Sequence, residues 1–251
     1  MGYAMDGLQI LDIVLFSAAT FAAAFVTSLA GFAFAIVAAG VWLHFLTPAQ
    51  VTALIVAFGL IVQGAAVWKL RHAISIARLM PFLIGGAIGV PLGGQLLQWA
   101  SPLSFRVGVG AILILFSLYS LARPNLGSAA GAGPVADGAI GIANGIIGGA
   151  TGLAGIAAVI WCGLRGWTPA EQRAVFQPAA VAVFVMTGLW LGGTGMIGPD
   201  TGWLFLIGLP ALALGTWAGL KAFGHLDEAA FRRVVLLLLL VSGLSLVVFG
   251  R

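Results

Sequence analysis

The sequence predicts an all-α fold: a polytopic transmembrane helical bundle made of two inverted repeats of about five segments each. Three observations predict it, namely an apolar composition, short motifs that recur in the same order, and basic residues that fall in different loops of the two repeats. Apolar residues make up 61% of the chain and charged residues only 7%, with a mean hydropathy of +1.14. Soluble domains carry about 25% charged residues, so this chain has too little polar surface to cover itself in water.

The repeats are visible as motifs that return in order along the chain. They are TPAQ at 47–50 and TPAE at 168–171, FLIG at 82–85 and 205–208, and Phe-Arg at 105–106 and 231–232. Their separation grows from 121 to 123 to 126 residues, as small loop insertions in a duplicated unit would cause. We therefore predict a first repeat at residues 1–127, a Gly/Ala/Pro linker at 128–135 and a second repeat at 136–251.

Ten apolar segments follow from the hydropathy of the two repeats. Most approach the roughly 20 residues that a helix needs to cross the hydrocarbon core. They lie at 9–29, 31–46, 49–68, 79–99 and 104–122 in the first repeat, and at 138–149, 151–164, 171–191, 202–222 and 231–249 in the second. Pro48 and Pro169 suit the first turn of the third segment in each repeat.

The first two segments of each repeat are predicted to form a broken-helix hairpin. Between Asp137 and Arg165 the chain is uncharged, and this stretch is too long for one crossing and too short for two. Residues 138–155 hold seven glycines, which weaken a helix interior, so we expect a break near Gly148 and Gly149. The first-repeat counterpart at 26–35 places Thr27, Ser28, Gly31 and Phe32 at the corresponding break.

Charge placement predicts that the repeats have opposite topology. The loop after the third segment of the first repeat carries Lys69, Arg71, His72 and Arg78, which favours the cytoplasm. The equivalent loop of the second repeat, at 192–202, carries only Asp200, whereas the loops on either side of it are basic. Equivalent loops therefore face opposite sides, an arrangement common in secondary transporters, and both termini are predicted to lie outside the cytoplasm.

The two breaks predict a binding site for a small anion. A helix that begins inside the membrane points free N–H groups and its positive dipole end at the space beyond it. The uncharged polar residues available to line that space are Thr27, Ser28, Gln63, Asn144, Thr151 and Gln177. For the three hydroxyl residues, bonding within their own helix is an equally good reading.

The two glutamines and the glycines also have alternative readings. Gln177 is favoured as functional because a buried amide needs partners and the adjacent Pro178 frees a carbonyl nearby. For Gln63, a functional role and a structural role are equally well supported. Small-xxx-small spacings, as at Gly85 and Gly89, instead predict close helix packing. Asn144 and Gln177 have apolar counterparts in the first repeat, so we expect most substrate contacts to come from the second.

Other functional classes find little support in the sequence. All seven acidic residues fall at segment ends or in loops, which argues against tight proton or sodium coupling. No enzyme, metal or cofactor is predicted, because the segments lack a nucleophile with a base, a His or carboxylate cluster, and any cysteine besides Cys162. The basic residues are scattered between apolar runs, so no nucleic-acid binding is expected.

The glycine-rich opening of each repeat resembles the sulfite exporter TauE/SafE family, also called the toluene sulfonate uptake permease family. The resemblance rests on SLAGFAFAIVAAG in the first repeat and GIIGGATGLAG in the second, and it extends over nearly the whole chain. It implies a transporter of the bacterial inner membrane for sulfur oxyanions such as sulfite, sulfoacetate or other organosulfonates. By the same resemblance, Gly31, Phe32, Gly149, Thr151 and Gly152 lie nearest the substrate path.

The predicted function is therefore export of small sulfur-containing anions by alternating access. An anion channel and a sulfonate uptake permease are the alternatives, because broken half-helices line channels as well as carriers. The expected partners are the anion and the lipid bilayer, and a homodimer remains an option.

Overall fold

A computed structural model describes residues 10–30, 33–122, 129–222 and 228–248 of the chain. These residues form ten α-helices and no strand. The helices are α1 (Ile10–Ala30), α2 (Phe34–Trp42), α3 (Pro48–Leu70), α4 (Ile76–Trp99), α5 (Pro102–Ala122), α6 (Pro134–Thr151), α7 (Ile156–Leu164), α8 (Pro169–Gly193), α9 (Pro199–Ala222) and α10 (Glu228–Val248). The all-helical prediction is confirmed, and each of the ten helices overlaps a predicted segment.

Among the helices of the described residues, six are long and apolar enough to cross a membrane: α1, α3, α4, α5, α8 and α9. Residues 233–248 of α10 form a shorter apolar helix. The remaining three are α6, with 18 residues, and the two nine-residue helices α2 and α7. One nine-residue helix, α2 or α7, therefore lies in each region where the sequence predicts a hairpin, whereas α1 is long enough to cross a membrane by itself.

The helices group into two compact units that do not follow the boundaries of the predicted repeats. Unit 1 contains α1, α2, the start of α3 as far as Ile55, α5, α9 and α10. Unit 2 contains the rest of α3 together with α4, α6, α7 and α8. Each unit thus combines helices from both halves of the sequence.

In unit 2, α4 and α6 approach each other through glycines. A side-chain carbon added to Gly145 would lie 2.7 Å from the carbonyl oxygen of Gly86, and one added to Gly89 would overlap the carbonyl of Ile142. The same relationship holds one turn away on each helix, at Gly85, Gly93, Gly141 and Gly149. The close packing predicted from the small-xxx-small spacing is confirmed, since only glycine leaves room for such an approach.

The helices α4, α6 and α8 run in the same direction through unit 2. Along α8, Val183 packs near Gly86 of α4 and Trp190 near Gly94, so the two helices advance together. Val183 also reaches Gly148 of α6. Helix α7 runs the opposite way, because its start lies beside Asn144, in the middle of α6, while its end approaches the first turn of α6.

Unit 1 contains two further close helix crossings. Gly219 of α9 faces Phe25 of α1, with only 2.6 Å between an added side-chain carbon and the Phe25 carbonyl oxygen. In α5 and α10, Gly110 and Gly243 face each other's carbonyl oxygens at 2.8 and 2.9 Å from an added carbon. In both units, therefore, the first helix of one half packs on the fourth helix of the other.

Candidate anion site in the second unit

Helices α6 and α7 are separated by a four-residue turn in which two glycines have left-handed backbones. Gly152 ends α6 with φ 73°, and Gly155 precedes α7 with φ 103°. The prediction of a break near Gly148 and Gly149 is wrong, because α6 continues through both. Gly149 packs against α4, where an added side-chain carbon would lie 2.6 Å from the Val90 carbonyl oxygen. These two glycines thus serve helix contact, and the positive-φ glycines make the turn.

Asn144 joins the two sides of this turn. Its side-chain Oδ1 accepts a hydrogen bond from the backbone N–H of Gly155 at 2.8 Å, and the residue is only 2% exposed. The first backbone bond inside α7 runs from the Val159 N–H to the Gly155 carbonyl at 2.7 Å. The N–H groups of the first helical turn, before Val159, therefore have no acceptor within the helix. Asn144 thus holds Gly155, the residue that immediately precedes these donors.

Thr151, Thr27 and Ser28 use their hydroxyl groups within their own helices. The Thr151 hydroxyl donates to the Ile147 carbonyl at 2.6 Å and accepts from the Leu153 N–H at 3.2 Å. In unit 1, Thr27 and Ser28 each donate to the carbonyl four residues earlier, at 2.7 and 2.9 Å. Since a hydroxyl has one hydrogen to donate, all three residues donate within their own helices in this conformation.

The two glutamines lie on α3 and α8, which contact each other in unit 2. The ring of Phe184 on α8 reaches Gly59 on α3. Gln63 follows Gly59 by one turn and is 8% exposed, and Gln177 precedes Phe184 by two turns and is 4% exposed. Val56 of α3 lies near Gly188 of α8, so the two helices are antiparallel here. Gln63 and Gln177 therefore both lie on the side of Phe184 that is nearer the start of α8.

Unit 2 thus gathers most of the predicted site residues. They are Gln63, Asn144, Gly149, Thr151, Gly152 and Gln177. Thr27 and Ser28 belong to unit 1, and Gly31 and Phe32 lie outside the described residues. Together these residues of unit 2 supply amide groups and backbone N–H donors, which would suit an uncharged lining for an anion.

A buried ion pair closes the far end of the α6–α7 hairpin. Asp137, in the first turn of α6, accepts a hydrogen bond from the Trp161 indole at 2.7 Å and lies 3.4 Å from the Arg165 guanidinium. Arg165 also donates to the carbonyls of Ala129, Ala130 and Ala132 in the preceding linker. Sequence reasoning identified Asp137 and Arg165 only as the ends of an uncharged stretch, and their pairing was missed.

A second, more exposed ion pair lies beside the first. Arg78 of α4 donates to Glu171 of α8 at 2.7 Å, and both side chains are 41% exposed. The guanidinium groups of Arg78 and Arg165 lie 5.1 and 5.2 Å from the ring of Trp167. Glu171 also completes a capping box with Thr168, for which the TPAE motif supplied a sequence signal. The α3–α4 and α7–α8 turns therefore meet at one end of unit 2.

A model of a known protein family matches this chain over residues 16–246, and its description is "Sulfite exporter TauE/SafE". The match covers nearly the whole chain. The chain belongs to the sulfite exporter TauE/SafE family. Searches of curated proteins and of solved structures each gave no match.

Membership of the TauE/SafE family makes this chain a multi-pass membrane protein of a transporter family for sulfite and related sulfur anions. The description agrees with the resemblance of the glycine-rich openings, of which GIIGGATGLAG contains the turn described above. Within the described residues no three His, Cys, Asp or Glu side chains form a group that could hold a metal ion.

Proposed function

We propose that this TauE/SafE protein exports small sulfur-containing anions across the inner membrane of a bacterium by alternating access. Sulfite, sulfoacetate and other organosulfonates are the proposed substrates. The observation that supports this most directly is the start of α7, where Asn144 binds the N–H of Gly155 and the next N–H groups have no acceptor within the helix.

The chemistry of this turn favours an anion over a cation. The N-terminus of a helix carries the equivalent of about half a positive charge and presents free N–H donors. The side chains of Asn144 and Gln177 add amides, which donate without carrying charge. A sulfonate or sulfite group has several oxygen acceptors that match such donors, and no buried cation is needed to hold it.

Export follows from the sign of the charge on the substrate. The potential across a bacterial membrane is negative inside and supplies about 2.3 kcal/mol per charge per 100 mV to an anion that leaves. The ionisable side chains described in unit 2 lie at helix ends, in the two ion pairs and the adjacent turns. The membrane potential therefore suffices as the driving force in this proposal.

Inverted repeats are part of the proposal. One support is that the first helix of each half packs on the fourth helix of the other half, α1 on α9 and α6 on α4. The other is that two turns with basic residues meet at one end of unit 2. In this arrangement α6 and α7 form a broken hairpin that enters from the cytoplasmic side. The turn at Gly152 then lies inside the membrane, where a freed backbone requires protein or an aqueous path around it.

Flux measurements in liposomes test this function. Purified protein should move at least one anion from a panel of sulfite, sulfate, sulfoacetate, taurine and thiosulfate, with saturation and counterflow. Transport of none of them would overturn the proposal. Flux without saturation or counterflow would indicate a channel, and a preference for inward movement under either sign of potential would indicate an uptake permease.

Two substitutions test the site itself. Gln177→Ala should lower the flux without lowering the folded yield, and so should Thr151→Val, because it removes the acceptor of the Leu153 N–H inside the turn. Gln172→Ala and Thr194→Val are matched controls on α8, because Gln172 bonds the Trp167 carbonyl near the start of the helix and Thr194 bonds its own helix at the other end. Parental flux in both site variants would refute the site assignment while leaving the transport function intact.

A further inference from the structure

Two neighbouring turns of α8 carry buried hydrogen-bonding groups without partners. The hydroxyl of Thr187 and the indole N–H of Trp190 are both inaccessible, and neither has a hydrogen-bond partner among the described residues. Thr187 is 0% exposed. Unpaired buried polar groups cost free energy and are uncommon in native proteins, so two on adjacent turns call for an explanation.

The Thr187 hydroxyl differs from other threonine hydroxyls in the helices of this protein. Thr20, Thr27 and Thr151 each donate to the carbonyl four residues earlier, at 2.6–2.7 Å. Thr194, two turns further along α8, donates to the Trp190 carbonyl at 2.8 Å. This local bond is the ordinary way for a helical threonine to satisfy its hydroxyl in an apolar setting. Thr187 does not use it, so its hydroxyl remains available to a ligand.

The position of Thr187 connects it to the break between α6 and α7. Ala180 of α8 faces Gly155, with 3.5 Å between its side chain and a carbon added to that glycine. Thr187 follows Ala180 by seven residues, which places it on the same face of α8, about 10 Å further along the axis. Between them, Val183 contacts Gly148. Because α6 and α8 run in parallel, Thr187 lies level with the end of α6.

Trp190 lies on the same face, one turn beyond Thr187. Its indole N–H edge lies against Gly94 of α4, so closely that any side chain there would overlap it. The ring is therefore held between α4 and α8 with its one polar atom buried. An indole nitrogen can only donate, and it offers nothing to a cation.

We propose that Thr187 and Trp190 form a second binding station for the substrate anion, further along α8 than the turn at Gly152. This inference rests on the proposed function and adds a second binding position to the route of the anion through unit 2. An anion leaving the start of α7 in the direction of the α8 C-terminus meets the hydroxyl first and the indole next. Both donors are buried without partners among the described residues and become satisfied when the anion passes. The substrate class is a small oxyanion with at least two acceptor oxygens.

The test compares sulfite flux and stability in liposomes and detergent. Thr187→Val keeps the shape of the side chain and removes the hydroxyl, and Trp190→Phe removes the N–H. Each should lower the initial rate of sulfite flux by about tenfold, the loss expected for one hydrogen bond to a charged group. Thr187→Ser should keep most of the flux, because it retains the hydroxyl. Thr194→Val, on the same helix, should behave as the parent.

The stability measurement separates a functional role from a structural one. Thr187→Val removes an unpaired buried group, so its unfolding temperature should equal or exceed that of the parent while its flux falls. Ser117→Ala provides a comparison, because Ser117 of α5 is another fully buried hydroxyl without a partner among the described residues. It should change stability in the same sense and leave the flux unchanged.

Each other outcome overturns the inference in a recognisable way. If Thr187→Val and Trp190→Phe keep the parental flux while Gln177→Ala lowers it, the station is wrong and the proposed function stands. If Thr187→Val and Thr187→Ser lose flux and unfolding temperature together, the position is structural. If the parent moves no sulfur anion, the proposed function fails and the station fails with it.

Discussion

Asn144 and Gly155 are joined by a side-chain hydrogen bond of 2.8 Å across the turn that separates α6 from α7. The bond fixes a residue in the middle of α6 to the residue that precedes α7. Because it is buried, it cannot be replaced by a bond to water. The direction in which α7 presents its first N–H groups therefore depends on one amide.

Asn144→Ala should lower both stability and transport. The substitution leaves the Gly155 N–H buried without its acceptor, which costs about 1–3 kcal/mol. Chemical unfolding in detergent measures this loss, and sulfite flux in liposomes should fall because the start of α7 is no longer held. Gln172→Ala removes an amide that bonds the Trp167 carbonyl near the start of α8, so it should lower stability less than Asn144→Ala and leave the flux unchanged. Parental stability in Asn144→Ala would show that the bond does not hold the turn.

Gly89→Ala and Gly145→Ala should destabilise the α4–α6 pair. The added carbon would overlap the carbonyl of Ile142 in the first variant and lie 2.7 Å from that of Gly86 in the second. Overpacking of this kind costs about 1–3 kcal/mol. Thermal unfolding in detergent measures it. Gly64→Ala is the control, since an added carbon there meets nothing within 4 Å and alanine favours helix. Equal unfolding temperatures for all three would contradict the packing.

Asp137→Asn should weaken the closed end of the hairpin. Asparagine keeps an acceptor for Trp161 but leaves the charge of Arg165, 12% exposed, without its counter-ion. Removing one partner of a buried pair costs about 3–5 kcal/mol, and the lower end applies because Arg165 keeps its carbonyl partners. Unfolding in detergent provides the measurement.

The exposed pair nearby is the control for this prediction. Glu171→Gln removes the partner of Arg78 at a site where both side chains are 41% exposed. Solvent screens such pairs, so the loss should be smaller than that of Asp137→Asn. The reverse order would mean that the buried pair does not stabilise the hairpin.

Labelling of single cysteines tests the proposed topology. In a Cys162→Ala background, an impermeant thiol reagent added outside intact cells should label Gly198→Cys and should not label Ala73→Cys. Both positions are exposed in turns between helices, so accessibility within the protein does not differ. After permeabilisation both should react. The opposite pattern would remove the argument for inverted repeats.

The helices were predictable from sequence, whereas the position of the break was not. Runs of apolar residues set the number and approximate place of the ten helices, because each must satisfy its backbone internally in lipid. Glycine content alone does not distinguish a residue that packs from one that turns. Gly149 packs against Val90, and Gly152 turns the chain at positive φ. Whether a glycine packs or turns the chain depends on whether a neighbouring helix, here α4, lies against it.

The candidate site was predictable in composition but not in bonding. Sequence reasoning selected Asn144 and Gln177, and both are buried in unit 2. It gave no sign that Asn144 bonds the Gly155 backbone, because that contact depends on how α7 folds back. Thr187 was missed, since its surroundings in sequence resemble those of any threonine in an apolar helix.

The packing of α1 on α9 affects the order in which the two units can form while the chain is being synthesised. Only α5 separates α4 from α6 in the sequence, so the glycine faces of α4 and α6 can pack together while the chain is still being synthesised. Helix α1 emerges first, yet the Gly219 surface that covers its Phe25 carbonyl is synthesised near the end. Unit 2 can therefore be complete before unit 1. A nascent chain cut short before α9 would leave its first helix in the bilayer without its partner.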